Sequence, residues 1–479
     1  MPTPKPAPHV TLPRVLSLRD VVAMNLVAVV ALRWITRGAR LGAASIPLWA
    51  LAWLTFFLPL ALAVSHLASR YPEQGGIYAW TRRAFGPRHA VLCGWCLWVN
   101  NLFYFPSLLL FAATNALVAV SGPGAGASET HAYSLTFVLV VLWLSTLLNV
   151  RGFAASKWVQ NLGGVGTWAP AAMLVVFGGI ALARYGSATS FAPAALVPTG
   201  QPLELLALWS AICFAFSGFE VTAMVGEEVQ RPSRTLPLGI LLAGLGATVI
   251  YVAGSIAVLV AIPAGSLIER SGMADAVELV SARAGLVGIG ALVAALLAIG
   301  AVAQTNSWIA ASGRVPFAAA SDRLVPAFFA RLHPRYATPH VALLTQGAVA
   351  SAILLASLFL QFGGGRTTLQ EAYDILVNLT ILAYFVPYLY LFATLLRLGG
   401  EQVREDDAQP VFHLPGGRVG RRLAAGTGLL STGVAIALVF VPPAGTVNAL
   451  NYEANVIGQA VAVLAVGWML GRRAGHRDP

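Results

Sequence analysis

The sequence predicts an all-α polytopic membrane protein of twelve transmembrane helices. Three observations carry this. Of the 479 residues, 57% are hydrophobic and 10% charged, with a mean hydropathy of +0.74. Twelve apolar stretches each approach the roughly 20 residues needed to cross a bilayer core. The basic residues gather in alternate loops. A soluble domain carries about 25% charged residues. This chain has too few to cover a water-facing body, which excludes a soluble enzyme, a disordered chain and a fibrous protein. The net charge of +11 fits loops facing anionic lipid better than a nucleic-acid partner. Three cysteines build no disulfide framework.

The elements follow in chain order. Residues 1–17 read as a Pro-rich cytoplasmic tail without a signal peptide's apolar core. The spans are 18–42, 46–69, 90–120, 133–150, 157–183, 204–229, 236–262, 286–313, 340–361, 371–397, 422–441 and 455–473. A cytoplasmic loop at 398–421 and a tail at 474–479 complete the chain. With both termini cytoplasmic, 23 of the 30 Lys and Arg fall inside. The other seven are Arg33, Arg37, Arg40, Arg184, Arg270, Arg283 and Arg366. That asymmetry is the positive-inside pattern. The loops at 70–89, 314–339 and 398–421 are too short to bury a core, so the chemistry belongs inside the membrane.

Polar solutes need polar backbone at mid-membrane, shielded from lipid. Span six offers it at Ser217-Gly218, followed by Glu220 in an apolar run. A carboxylate there is costly unless paired, protonated or wet. It reads as a proton-carrying or substrate-binding acid, against the alternative of a helix-packing acid satisfied by a neighbour. Span one carries Asn25, then Arg33, Arg37 and Arg40 on one helical face. Arg37 and Arg40 fit snorkelling to headgroups. Arg33, roughly 20 Å along the helix from Asp20, lies deep. It could attract a carboxylate or pair with Glu220. Cys93-Gly94-Trp95-Cys96 with His89 nearby is a poor zinc site. No metal or cofactor is expected. There is no G-x-x-x-x-G-K-[ST] loop for a nucleotide.

Tyr71-Pro72-Glu73-Gln74-Gly75-Gly76-Ile77-Tyr78-Ala79-Trp80, with Arg82-Arg83-Ala84-Phe85-Gly86-Pro87 and Gly94-Trp95, resembles the second and third helices of the amino acid–polyamine–organocation (APC) transporters. Phe216-Ser217-Gly218-Phe219-Glu220, Glu228-Val229-Gln230-Arg231-Pro232 and Thr235-Leu236-Pro237 are similar to their sixth helix and its exit. Gly313-Arg314, Ala320-Ser321-Asp322-Arg323-Leu324-Val325-Pro326 and His333-Pro334 resemble the stretch after helix eight.

The resemblance implies a LeuT-like fold: a five-helix repeat at 18–183, an inverted second repeat at 204–397, and two further helices within 422–473. It implies breaks in helices one and six. In helix one the family's glycines are replaced by Ala31-Leu32-Arg33-Trp34-Ile35, so an Arg33 guanidinium stands in for the backbone cradle of a carboxylate. Ala31, Arg33, Trp34, Phe214, Phe216, Ser217, Gly218 and Asn101 are the substrate-binding candidates, with Glu220 for proton coupling. Phe214 and Phe216 could equally pack against lipid or core. Asn100 and Asn101 could instead bond between helices. Thr305 and Ser307, in the cluster Gln304-Thr305-Asn306-Ser307, are candidates for an ion site. Trp308 could stack on a ligand or pack. Thr167 occupies the place of a lysine that some relatives use. Glu227 and Glu228 face Arg231 and Arg234 as a charge cluster at the span-six exit. Glu371 and Asp374 open span ten at the outer interface.

The expected function is a secondary active transporter of amino acids or related amines. It would work in the cell membrane by alternating access, coupled to protons or a counter-substrate. A non-transporting sensor, a channel and a polyamine carrier are the competing readings. The expected partners are the small-molecule substrate and lipid, with no nucleic acid; the oligomeric state is not readable.

Overall fold

The computed structural model describes residues 14–39, 41–122, 130–199, 201–262, 272–283, 285–286, 288–359, 369–400, 412–440 and 449–475. Arg40 and the side chains of Arg37, Glu371 and Asp374 lie outside the described residues. Extended pairing among the described residues is limited to one bridge, Leu16 with Val229. The α-helices are α1 (Leu18–Val29), α2 (Arg33–Ala39), α3 (Ser45–Ala52), α4 (Leu58–Arg70), α5 (Ile77–Phe85), α6 (Pro87–Ser121), α7 (His131–Val150), α8 (Phe153–Tyr185) and α9 (Pro202–Ala215). They continue with α10 (Pro232–Ala261), α11 (Gly272–Arg283), α12 (Ile289–Ser312), α13 (Arg314–Ser321), α14 (His340–Phe359), α15 (Leu369–Leu398), α16 (Gly417–Val439) and α17 (Ala449–Gly475).

Nine stretches among the described residues are long and apolar enough to cross a membrane. Three expected spans fall outside that set. Span one is cut into α1 and α2, pieces of 12 and 7 residues. Span nine gives a shorter apolar helix at His340–Ala356. Span twelve corresponds to α17, whose first side chains are not described. Short helices α5, α11 and α13 fill segments read from the sequence as loops.

The local causes are readable. A capping box starts α1: Ser17 N–H donates to Asp20 Oδ2 at 3.0 Å, and Asp20 N–H to Ser17 Oγ at 3.5 Å. The helix ends because Val30 turns extended, at φ −72° and ψ 102°. Span six is α-helical only to Ala215. Phe216 and Ser217 close a tighter turn onto Cys213 and Phe214. Gly218 then takes φ +109°, a conformation that side chains with a Cβ resist. The rest of that span, to Glu228, winds as 3-10 helix.

These two interrupted spans are packed inside the bundle. The α1 helix lies against α10, α12 and α8, and α9, the helical half of span six, lies against α16, α3 and α2. Small residues allow α8 to meet α12 closely, as in membrane helix pairs. A Cβ on Gly166 would come within 2.6 Å of the Gly300 nitrogen, and one on Gly163 within 2.1 Å of Ala303 Cβ. Large apolar side chains such as Leu144, Val176, Leu245 and Leu430 face outward, forming the surface offered to lipid.

Candidate functional site

Cutting α1 at Val30 leaves the carbonyls of its last turn without helical partners. Side chains from neighbouring helices take them. Ala28 O accepts from Trp308 Nε1 at 2.9 Å and from Gln304 Nε2 at 2.8 Å. Val27 O accepts from the same Gln304 amide at 3.1 Å. The Tyr251 hydroxyl on α10 lies 3.1 Å from both Val29 O and Ala215 O, and accepts the Ala31 N–H at 3.2 Å. One tyrosine therefore ties the two breaks together. Asn25 joins α1 to the 3-10 segment through Thr222 at 3.1 Å.

Glu220 follows the second break and is fully buried. Tyr384 and Tyr388 stand one turn apart on α15, on one face of the helix. Tyr384 donates to Glu220 Oε1, and Tyr388 donates to Oε2 at 2.9 Å. The Tyr388 oxygen also accepts the Gly218 N–H at 2.8 Å, so the break itself helps orient the tyrosine. The pairing of Arg33 with Glu220 does not form: the carboxylate's side-chain partners are the two tyrosines.

Between the breaks lies a small cavity of ≈ 20 Å³, room for about one water. Its floor is the Ala28–Val29 backbone end of α1. Its walls are aromatic. Trp34 and Phe214 meet edge to face at 5.4 Å, and Trp308 and Tyr384 at 6.0 Å. Asn100, Asn101, Ser217 and Thr380 supply the polar lining, with Tyr104.

Of the sequence candidates, Trp34, Phe214, Ser217 and Asn101 line this cavity. Asn101 donates to Leu97 O at 2.8 Å, and its Oδ1 has no partner among the described residues. Arg33 is buried, and its guanidinium lies over the wall residues Trp34 and Tyr104 at 5.1 and 5.7 Å. Ala31 and Gly218 contribute backbone N–H groups to Tyr251 and Tyr388 rather than to the cavity surface. Phe216 is directed elsewhere, into a cluster with Trp49, Phe57 and Tyr251. The hydroxyls of Thr305 and Ser307 bond back along α12 to Ala301 O and Ala303 O, at 2.9 and 3.0 Å. Thr167 is buried at the α8–α12 contact.

Sequence reasoning missed Tyr251, Tyr384, Tyr388 and Tyr104. The only signal was the four-residue spacing of Tyr384 and Tyr388; Tyr251 carried none.

The end of the bundle bearing the charged loops is shut. Val15 and Leu16 N–H groups each donate to Glu228 O at 2.9 Å, and Gln230 N–H to Leu16 O at 2.8 Å. The Glu228 carboxylate meets Arg314 Nε at 2.7 Å, both side chains buried, and Arg314 also donates to Ala310 O. Glu228 thus reaches across to α13 and not to Arg231 or Arg234. Nearby, Asp322 accepts from Tyr78 at 2.8 Å and from Arg82 at 2.6 Å. Burial and the Asp322 carboxylate push the Tyr78 phenol well above its ordinary value, so it remains a donor.

The model of the amino acid permease family matches residues 16–466. The chain belongs to that family. The APC resemblance of its motifs is thereby confirmed. The permease is 28% identical to the uncharacterized transporter lpg1691 of Legionella pneumophila, over 96% of this chain and 97% of that protein. It is 25% identical to the probable agmatine/putrescine antiporter AguD of Lactococcus lactis, over 73% and 72% of the two chains. It is also 25% identical to a glutamate/gamma-aminobutyrate antiporter of the same species, over 82% and 76%. The permease is an integral, multi-pass membrane transporter of amino acids or amines, and not an enzyme.

Proposed function

We propose that the permease is a secondary active transporter that moves a small amino acid or related monoamine by alternating access. The cavity between the two helix breaks is its substrate site. The single observation that carries this is the buried Glu220, held by Tyr384 and Tyr388 directly beyond the break at Gly218. The supporting topology is twelve spans in the cell membrane with both termini cytoplasmic. The first ten form two inverted five-helix repeats, at 18–183 and 204–397.

Glu220 carries the coupling proton in this reading. With both tyrosine hydroxyls donating, each oxygen of an ionised Glu220 carboxylate has a partner. Protonation would place a third proton among these oxygens and turn the Tyr384 hydroxyl toward the cavity it lines. The cavity therefore exchanges protons with Glu220 through Tyr384. Sodium coupling is less well supported, because the hydroxyls of Thr305 and Ser307 are occupied and the Val27 and Ala28 carbonyls face N–H donors.

The substrate reading follows from the lining. Aromatic walls and the Asn101 acceptor suit an ammonium group. Arg33, behind Trp34 and Tyr104, suits a carboxylate once the site opens. Several acids would be needed for a polyamine, and Glu220 is the deep one here. The names of the two Lactococcus relatives, an agmatine/putrescine antiporter and a glutamate/gamma-aminobutyrate antiporter, favour exchange of one solute for another. Counterflow in proteoliposomes, with a panel of amino acids and amines, tests the proposal. Thermal stabilisation picks the candidates, since a ligand that binds the folded state raises its melting point. Binding without flux of any panel member would instead support a sensor on a transporter body.

A further inference from the structure

We propose that Gln304 is the positioning residue that keeps the inner half of helix one closed against α12. This rests on the alternating-access reading above. Three features of Gln304 point to it.

The first is where its donors go. The break at Val30 strands the carbonyls of the last turn of α1. The Gln304 amide spends both N–H groups on Val27 O and Ala28 O. Those bonds join the loose end of one helix to the flank of another, so a swing of α1 away from α12 must break them.

The second is how the amide is oriented. Its oxygen accepts from the Tyr104 hydroxyl at 3.1 Å. That bond decides which end of the amide faces α1. Tyr104 lines the cavity, under the Arg33 guanidinium and edge-on to Trp308. A substrate that moves Tyr104 therefore acts on the closure of helix one through one intervening side chain.

The third is burial. Gln304 is 3% exposed and opens the buried polar cluster Gln304-Thr305-Asn306-Ser307 of α12. A buried amide is costly when its partners are missing, and methionine fills similar space without donors. The hydrogen bonds, not the volume, distinguish glutamine here.

The consequence is a population shift. When only one state binds substrate from outside, the apparent affinity falls in proportion to the fraction lost from that state. Gln304→Met should therefore raise the apparent KM for external substrate about 5–50-fold, with the maximal rate within about 3-fold of wild type. Gln304→Glu should behave like wild type at acid pH, where a protonated carboxyl still donates to α1. At neutral pH, where a carboxylate repels those carbonyls, its KM should rise. Each value is taken relative to wild type at the same pH, which removes the contribution of Glu220. A merely structural role would lower the yield of folded protein without this KM pattern.

A second readout needs no substrate. Met24 faces the interior of the bundle from α1 at 1% exposure. In a background with Cys93, Cys96 and Cys213 replaced by serine, Met24→Cys should react with an impermeant maleimide from the cytoplasmic side severalfold faster when Gln304→Met is added. Should Gln304→Met not fold, Tyr104→Phe should produce a smaller change in the same direction. Equal labelling rates, or an unchanged KM in the folded variants, would overturn the proposal. Faster labelling with no transported substrate would keep Gln304 as the holder of α1 and refute only the transport reading.

Discussion

Glu220 is a carboxylate placed where water does not reach, with two phenols as its side-chain partners. An acid in that position is costly unless it is hydrogen-bonded or takes up a proton. Both conditions are available here, and their alternation is the proposed coupling step. Tyr384→Phe removes one of the two donors and leaves the ring in the cavity wall. Its uptake is expected to fall at least tenfold while substrate binding, read by thermal shift, survives. Arg33→Ala is expected to abolish binding of carboxylate-bearing substrates while the protein still folds, read as a cooperative melting transition, with some stability lost from the packing over Trp34 and Tyr104. Unchanged affinity in that variant would remove Arg33 from the site.

At the scale of elements, the two interruptions are the working parts, and they were legible to different degrees. Ser217-Gly218 before Glu220 announced the second break, because glycine permits φ +109° and a buried acid needs freed backbone. The first break lacked glycine. Arg33 marked the place, but the cause lies in Gln304, Trp308 and Tyr251, which supply the donors that let α1 end at Val30. Contacts across 220 to 280 residues of sequence leave no local periodicity to read. The same reason explains Glu228. Its near neighbours Arg231 and Arg234 suggested a local cluster, while its partner is Arg314, 86 positions on. The family resemblance makes Phe216 a ligand candidate alongside Phe214, with packing against lipid or core as the equal alternative. The tight turn after Ala215 points it the other way, into Trp49 and Tyr251. Gly218→Ala tests the break directly. Its Cβ would stand 3.0 Å from the Trp308 ring and 3.2 Å from Val29, at a positive φ. A loss of about 1–3 kcal/mol is expected, visible as a lowered melting temperature together with lost transport.

For the whole molecule, closure at the charged end depends on long-range pairs. The strand-like contact of Leu16 with Val229 fixes the start of α1 to the exit of span six, and Glu228 fixes that exit to α13 through Arg314. Removing one member of a buried ion pair costs about 3–5 kcal/mol because the other charge is stranded. Arg314→Met should therefore be severely destabilised, and the double variant with Glu228→Gln should recover much of the loss. If the double variant is no more stable than the single one, the pair is not what closes this end. The overall class was legible from composition and loop charge, since both are imposed by the bilayer along the whole chain. The closures were not, because they depend on which distant helices meet.

The measurement that tests the central claim most directly is substrate uptake into proteoliposomes under an imposed pH gradient, for wild type and Glu220→Gln. The account predicts that an inward proton gradient accelerates uptake by the wild type. It predicts that Glu220→Gln still binds substrate but no longer responds to the gradient. Full gradient dependence in Glu220→Gln would contradict the account and assign the coupling proton to another group.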